Sequence, residues 1–392
     1  MILTNKQEEG LKIAIKRYIE GEKYVVIAGY AGTGKSTLVK ILIQSLPDID
    51  PETDVVYTSF TGKATQVLLK KGNKNVSTLH RLLYKSIPKE DGSFMRIVKD
   101  HLDYKIVIVD EVSMVPRDLM RILFGFPVFV ICLGDNFQLP PVDKNQDNGL
   151  LYSPHVFLDE IMRQALDSDI IKLSMKIRNK ETIDLEKGSD AIVMAKDELN
   201  TGVLQWGDQI ICATNKTRVQ VNNQMRTLLG RTGDPEDGDK VICLHNYWDI
   251  LADNEDPLVN GTIGYLSNPY PSFNKLPYYL GGSTYPVLLS KFISDSNENY
   301  KFLQIDKRLI TEGVNTLDNK TLYRLNKNWK TRHLIPCEFA YGYCITGWKA
   351  QGSEWDKVVL IEEGFPYDRE EHQRFLYTGV TRASKKLVLV RK

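Results

Sequence analysis

The stretch from Tyr24 to Leu38, YVVIAGYAGTGKSTL, constrains this chain more than any other part of it. Tyr24 to Ala28 is a short, β-branched apolar run of the kind that forms a buried parallel strand. Gly29-x-x-x-x-Gly34-Lys35-Ser36 follows at once, and Thr37 to Ile43 reads as a helix. Strand, glycine loop and helix, in that order, are the context a phosphate-binding loop requires. The glycines let backbone N–H groups close round phosphate oxygens with no Cβ in the way. The helix N-terminus adds a partial positive charge. Gly29, Ala31, Gly32, Thr33, Gly34, Lys35, Ser36 and Thr37 are therefore the expected nucleotide-binding set. Lys35 suits the β- and γ-phosphates and Ser36 suits Mg2+. A chance glycine turn is the alternative, but every slot and both flanks agree. The chain is expected to bind a nucleoside triphosphate.

A second apolar run, Tyr104 to Val109, ends in Asp110-Glu111. Ionised carboxylates at the end of a buried strand are costly without a cation nearby. Asp110 fits the water shell of Mg2+, and Glu111 is then placed to take a proton from an attacking water. The pairing argues for hydrolysis as well as binding. Phe126 to Val142 is another apolar strand with a polar switch at its end, where Gln138 is a candidate reporter of the γ-phosphate. Gln7 lies in an amphipathic helix with Thr4 as its N-cap. Its amide offers a donor and an acceptor to the polar edge of adenine, although an ordinary surface glutamine fits the same pattern. Thr61-Gly-Lys63 and Ser77-Thr78-Leu-His80 open helices with hydroxyl groups. Such entrances suit phosphate contacts along a nucleic-acid strand and equally read as simple caps.

At 392 residues the chain has room for two to four domains. Its 42% hydrophobic and 26% charged content are those of a soluble globular protein. The net charge of +1 is silent about polyanionic partners, so a nucleic-acid channel would have to be a local basic surface. Apolar runs stop well short of the roughly 20 residues that span a bilayer. Met1 to Glu9 lacks the order of a signal peptide, so a cytoplasmic protein with no membrane partner is expected. Cys132, Cys212, Cys243, Cys337 and Cys344 are scattered and read as buried free thiols. No spacing suggests a metal cluster.

Between Tyr84 and Val98, Asp91-Gly92 separates two short alternating runs, a strong hairpin signal. A surface hairpin and a functional one are equally good readings of these residues alone. A second α/β texture begins with Gln209 to Asn215, is interrupted from about Gly230 to Pro336 by Gly-, Pro-, Asn- and Tyr-rich turns between short strands, and returns at Cys337. The interruption suggests a small all-β insertion, with the strand spacing of a barrel. The fold class is α/β, doubly wound, with ligands outside the carboxyl ends of the strands.

Taken together, Gly29–Thr37, Thr58–Thr65, Thr78–His80, Val109–Ser113, Gly134–Val142, Arg163, Thr346–Glu354 and Thr378–Arg382 resemble the motifs of the superfamily-1 helicases, in the RecD/Dda-like branch. The resemblance covers nearly the whole chain apart from the hairpin and the β-rich insertion. It implies two RecA-like motor domains: 1–83 with 102–182, and 183–230 with 336–392. A pin insertion at 84–101 and an SH3-like insertion at 231–335 complete the expected layout. It also implies an ATP-dependent DNA helicase that uses Mg2+ and moves 5′ to 3′, of a compact size like phage-encoded members. Gln7 would contact adenine, and Arg163 and Arg382 would be arginine fingers. Gly352 and Glu354 would belong to the nucleotide site. Thr61, Lys63, Thr78, His80, Asn215 and Thr346 would line single-stranded DNA, with Phe94 on the pin. Trp348 stands where the branch usually has His; it either stacks on a base or fills core. Implied partners are single-stranded and forked DNA, with a single-strand binding protein or replication and recombination proteins beyond them. A translocase that does not unwind, a viral-type RNA helicase and a nucleotide-switched binding module are the alternatives.

Overall fold

The computed structural model describes residues 3–88, 94–140, 144–162, 167–253, 257–364 and 368–392. By contacts the chain divides into two units. The first contains residues 1–83, 99–218 and 345–392, and the second contains 84–98 and 219–344.

The first unit carries two sheets. One has six parallel strands in the order Val76–Thr78, Val55–Ser59, Ile106–Val109, Phe129–Gly134, Tyr24–Gly29 and Val156–Leu158. Its two central strands, Ile106–Val109 and Phe129–Gly134, are apolar and fully buried, as helix-covered parallel strands must be. The helices Asn5–Ile19 and Lys35–Ser45 pack on it through Ala14, Leu38, Val39 and Leu42. The first helix starts as expected: Thr4 and Gln7 form a reciprocal capping box.

The other sheet runs Cys344–Thr346, Gln209–Cys212, Trp355–Ile361, Ala383–Arg391, Ala191–Ala195 and Glu186–Lys187. Pairing from Gln209–Cys212 through Ala191–Ala195 is parallel, and Glu186–Lys187 adds an antiparallel edge. Both sheets have their polar strand ends beside helix N-termini, the arrangement of RecA-like α/β domains.

Two expected boundaries need correction. The helix Asp169–Arg178, assigned above to the first motor domain, packs on the second sheet and on the helix Arg369–Val380. Asp190 accepts from the Ser168 hydroxyl and the Asp169 N–H, which ties the start of that helix to the turn before the strand Ala191–Ala195. An amphipathic stripe specifies that a helix packs, not which sheet receives it. The segment 336–344, assigned to the second motor domain, instead supplies the strand Phe339–Tyr341 to the antiparallel sheet of the second unit.

That sheet has the order Asn299–Asp306, Thr284–Ser294, Ile263–Lys275, Lys240–Cys243, Phe339–Tyr341. A bridge between Ile305 and Cys337 joins its two ends, with Asp306 N–H donating to Cys337 O at 2.9 Å. The sheet therefore closes on itself, which leaves no open edge there. The long hairpin made by Ile263–Lys275 and Thr284–Ser294 runs out to a small separate core of Leu276, Tyr285, Val287, Leu317 and Leu325. The strands Tyr84–Pro88 and Phe94–Val98 pair antiparallel, with Pro88 opposite Phe94; the Asp91-Gly92 turn lies outside the described residues. All five cysteines are buried and free. No described helix is long and apolar enough to cross a membrane.

Candidate functional site

The phosphate-binding loop joins the strand Tyr24–Gly29 to the helix Lys35–Ser45, at the carboxyl edge of the first sheet. Gly32 and Gly34 both have φ of +76°, a left-handed conformation that costs glycine nothing. A Cβ on Gly29 would stand 2.8 Å from Leu158 O and 2.9 Å from Thr33 Oγ1, so only glycine fits. Lys35 Nζ donates to Gly29 O at 2.6 Å and Tyr30 O at 2.9 Å, inside the loop. Ser36 is exposed on the first turn, with Thr37 beside it half-buried. Thr33 is buried and donates to Tyr30 O.

Gln7 lies behind this loop and is only 1% exposed. Its amide donates to Thr33 O at 3.0 Å and contacts Met162 Sδ, while its oxygen accepts from Thr4 N–H at 3.1 Å. These bonds brace the loop from behind.

Asp110 and Glu111 follow the strand Ile106–Val109. Asp110 accepts from Glu111 N–H at 3.0 Å. Burial first, and the Glu111 charge second, push its carboxyl above the usual range. A cation would reverse both effects. Glu111 has φ of +52°, a strained setting for a non-glycine residue. Its carboxylate faces Arg382 Nη1 at 3.8 Å. Arg382 is buried, donating to Thr378 O and Ser353 O at 3.2 Å each.

The segment 135–140 after the strand Phe129–Gly134 is held by the second sheet's helices. Leu139 N–H donates to Thr378 Oγ1 (2.9 Å), and Gln351 donates to Leu139 O (2.6 Å). Arg374 donates to Asn136 O (2.8 Å) and Gln138 O (3.2 Å). The Trp348 indole N–H donates to Pro140 O at 3.2 Å, so the half-buried ring is engaged with protein along its polar edge. Gln138 is buried, and its side-chain oxygen has no hydrogen-bond partner among the described residues.

Sequence reasoning missed Tyr377. Its phenol accepts from Ala31 N–H at 2.9 Å, in the phosphate loop, and donates to Asp135 Oδ2 at 2.6 Å. The side chain is 1% exposed and its ring meets Phe137 edge-on at 5.2 Å. Burial raises the phenol well above its ordinary range, and the Asp135 charge adds to that. Arg178 was missed too: its guanidinium lies 3.7 Å from the centroid of Tyr30 in the same loop. A tyrosine inside an otherwise apolar helix run was the available signal for the first, since a buried hydroxyl needs a partner.

The remaining expected residues are placed as follows. Thr61 Oγ1 caps the helix Gly62–Lys70 by accepting from Ala64 N–H, and Lys63 Nζ lies 5.6 Å from the Trp355 ring. Thr78 Oγ1 accepts from Arg81 N–H, and the His80 ring is 5.6 Å from Phe60. Asn215 accepts from Arg218, and Thr346 stands before the helix Gly347–Ala350 with no side-chain cap bond. Gly352 has φ of +68° and approaches Thr61 and Ala64 closely. Glu354 is exposed. Arg163 and the Phe94 side chain lie outside the described residues. No group of metal-ligating side chains gathers elsewhere among the described residues.

A glycine loop at a strand–helix junction, paired carboxylates on a neighbouring strand and a buried arginine from a second sheet define a P-loop NTPase with tandem RecA-like domains. Residues 3–197 match the AAA domain model, and residues 341–390 match the UvrD-like helicase C-terminal domain. The chain is 32% identical over 155 residues to the ATP-dependent DNA helicase dda of Enterobacteria phage T4, covering 38% of this chain and 35% of that protein. It is 34% identical over 178 residues to the ATP-dependent RecD2 DNA helicase of Deinococcus radiodurans, covering 43% of this chain and 24% of that one. These matched segments span about a third or less of each relative. In fold it resembles the Pif1 helicase from Bacteroides solved with ADP-AlF3 and ssDNA, at a TM-score of 0.53 and 17% identity over 99% of this chain and 92% of that one. An AAA domain followed by a UvrD-like helicase C-terminal domain is the pairing expected of superfamily-1 helicases, and the chain is similar to the RecD- and Dda-type members.

Proposed function

We propose that the chain is an ATP-dependent DNA helicase that moves 5′ to 3′ along single-stranded DNA. The observation that carries this reading is the joining of the two sheets through the catalytic loops: Tyr377 to Ala31 and Asp135, Arg382 to Glu111, and Arg374 to the segment after Gly134. A nucleotide held by one sheet is then sensed by the other.

The loop amides and Lys35 bind the phosphates of ATP. The donor set fits Mg2+: the Ser36 hydroxyl and the Asp110 carboxylate are hard oxygen ligands, on the first turn after the phosphate loop and at the end of a neighbouring strand. The ion would neutralise charge on the phosphates. Glu111 accepts the proton of the attacking water, and Arg382 stabilises charge developing on the γ-phosphate. The orphaned Gln138 oxygen supplies an acceptor for a water or ligand group there. Arg163 is the second arginine in this scheme. Opening and closing of the two sheets on ATP moves a strand held by Thr61, Lys63, Thr78, His80, Asn215 and Thr346. The hairpin 84–98, with Phe94, serves as the pin that splits duplex.

ATP turnover with and without single-stranded DNA, and unwinding of duplexes with a 5′ or a 3′ tail, test the proposal. Stimulation by DNA with unwinding from the 5′ tail alone is expected. Unwinding only from the 3′ tail would overturn the polarity, and absence of stimulation would overturn the motor.

A further inference from the structure

The helix Asn319–Lys327 in the second unit has two unlike faces. Leu322 and Leu325 pack against Leu276, Tyr285 and Val287 at the end of the long hairpin. Lys320, Tyr323, Arg324 and Lys327 occupy positions i, i+3, i+4 and i+7, which share the opposite face. All four are exposed, Tyr323 by 68%. None of the three cations has an ion-pair partner among the described residues. The nearest acid in sequence is Asp318, whose carboxylate caps the helix through Thr321 and also feels the Lys320 charge. From Asn319 to His333 the chain holds Lys320, Arg324, Lys327, Lys330 and Arg332 and no Asp or Glu, in a protein of net charge +1. Such a concentration is not needed to fold the helix, whose packing face is Leu322 and Leu325.

From this charge pattern we infer that the Lys320–Lys327 face docks on the phosphate backbone of the nucleic acid that the motor acts on. The face offers cations along about 10 Å of helix axis, at 1.5 Å per residue. Exposed Lys and Arg side chains suit phosphate oxygens, contacts that position a protein on nucleic acid without carrying sequence information. Tyr323, amid the cations, adds a flat ring for a sugar or an exposed base. An acidic protein surface would need a matched array of carboxylates; a nucleic-acid backbone presents anions at regular spacing without one. The inference rests on the helicase reading above and extends it to a unit that carries none of the nucleotide-site residues.

The test is the affinity of the full chain for fluorescent duplex and single-stranded DNA, without nucleotide, as salt is varied. Each phosphate contact contributes about 0.9 to the slope of log affinity against log salt for duplex, and about 0.7 for single strands. The triple variant K320Q/R324Q/K327Q should flatten the duplex slope by about 2.7. The ratio of wild-type to variant affinity should therefore narrow about 40-fold between 50 and 200 mM salt. The charge-preserving variant K320R/R324K/K327R should bind like wild type, which separates charge from folding. A flattened slope on duplex only assigns the face to duplex, and a flattened slope on single strands only assigns it to single strands. Equal slopes for wild type and the triple variant on both DNAs overturn the inference. If wild type itself binds neither DNA, the helicase reading fails first.

Discussion

Replacing Tyr377 by Phe deletes one oxygen that sits between the two sheets of the first unit. Its bond to the Asp135 carboxylate, at 2.6 Å and buried, is charge-assisted and worth about 1.5–3 kcal/mol. Its acceptance of Ala31 N–H is worth about 1 kcal/mol more. The variant should therefore lose about 3 kcal/mol at neutral pH, a fall of about 6 °C or more in melting temperature. The loss also has a defined pH dependence. Burial raises the Asp135 carboxyl above its ordinary value, with Lys35 and Tyr377 pulling it back down. Without the phenol the carboxyl rises further. A raised carboxyl contributes stability that is complete below its unfolded value of about 4 and is lost as pH rises through the folded value. The deficit of Tyr377→Phe is thus largest at neutral pH and shrinks towards pH 4. Thermal unfolding of both proteins between pH 4 and 8 measures it. Equal melting at neutral pH, or a deficit that grows as pH falls, would refute the reasoning.

Glu111→Gln keeps the shape of the site but removes the proton acceptor; ATP should still bind while turnover falls about 10²–10⁴-fold, read by nucleotide binding alongside phosphate release. Arg382→Ala removes the buried cation beside Glu111 and should lower DNA-stimulated turnover by about 10³-fold or more. A variant that turns over normally would exclude it as a finger. Phe94→Ala should slow unwinding while sparing turnover; equal loss of both would remove it from the pin. Glu362 is opposed by burial, but His372 and Arg391 outweigh that and bring its carboxyl down to about 2. Its contribution is present above about pH 4.5 and is lost as pH falls towards 2, so Glu362→Gln should destabilise at pH 7 and progressively less in acid.

The parts of this molecule legible in its sequence were those where chemistry forces local residue choice. A glycine loop between strand and helix, and acids at the end of an apolar strand, declare themselves because nothing in packing asks for them. The helix Asp169–Arg178 fell in a segment assigned to the first motor domain, because Ile170, Leu173 and Ile177 would suit either sheet equally. Tyr377 was illegible as a connector: its partners Ala31 and Asp135 are hundreds of residues away, and only the folded chain brings them together. Gln7 was legible in part: the capping box with Thr4 follows from local sequence, whereas the bond from its amide to Thr33 O depends on long-range packing. The closure of the antiparallel sheet through Ile305 and Cys337 also depends on long-range pairing that strand spacing does not encode.

The most direct test of the central claim is the rate of ATP hydrolysis by the intact chain as single-stranded DNA is titrated, with Lys35→Ala as control. The account predicts a low basal rate that rises steeply and saturates with DNA, and no response in the control. A rate that is unchanged by DNA, or that survives loss of Lys35, would contradict it.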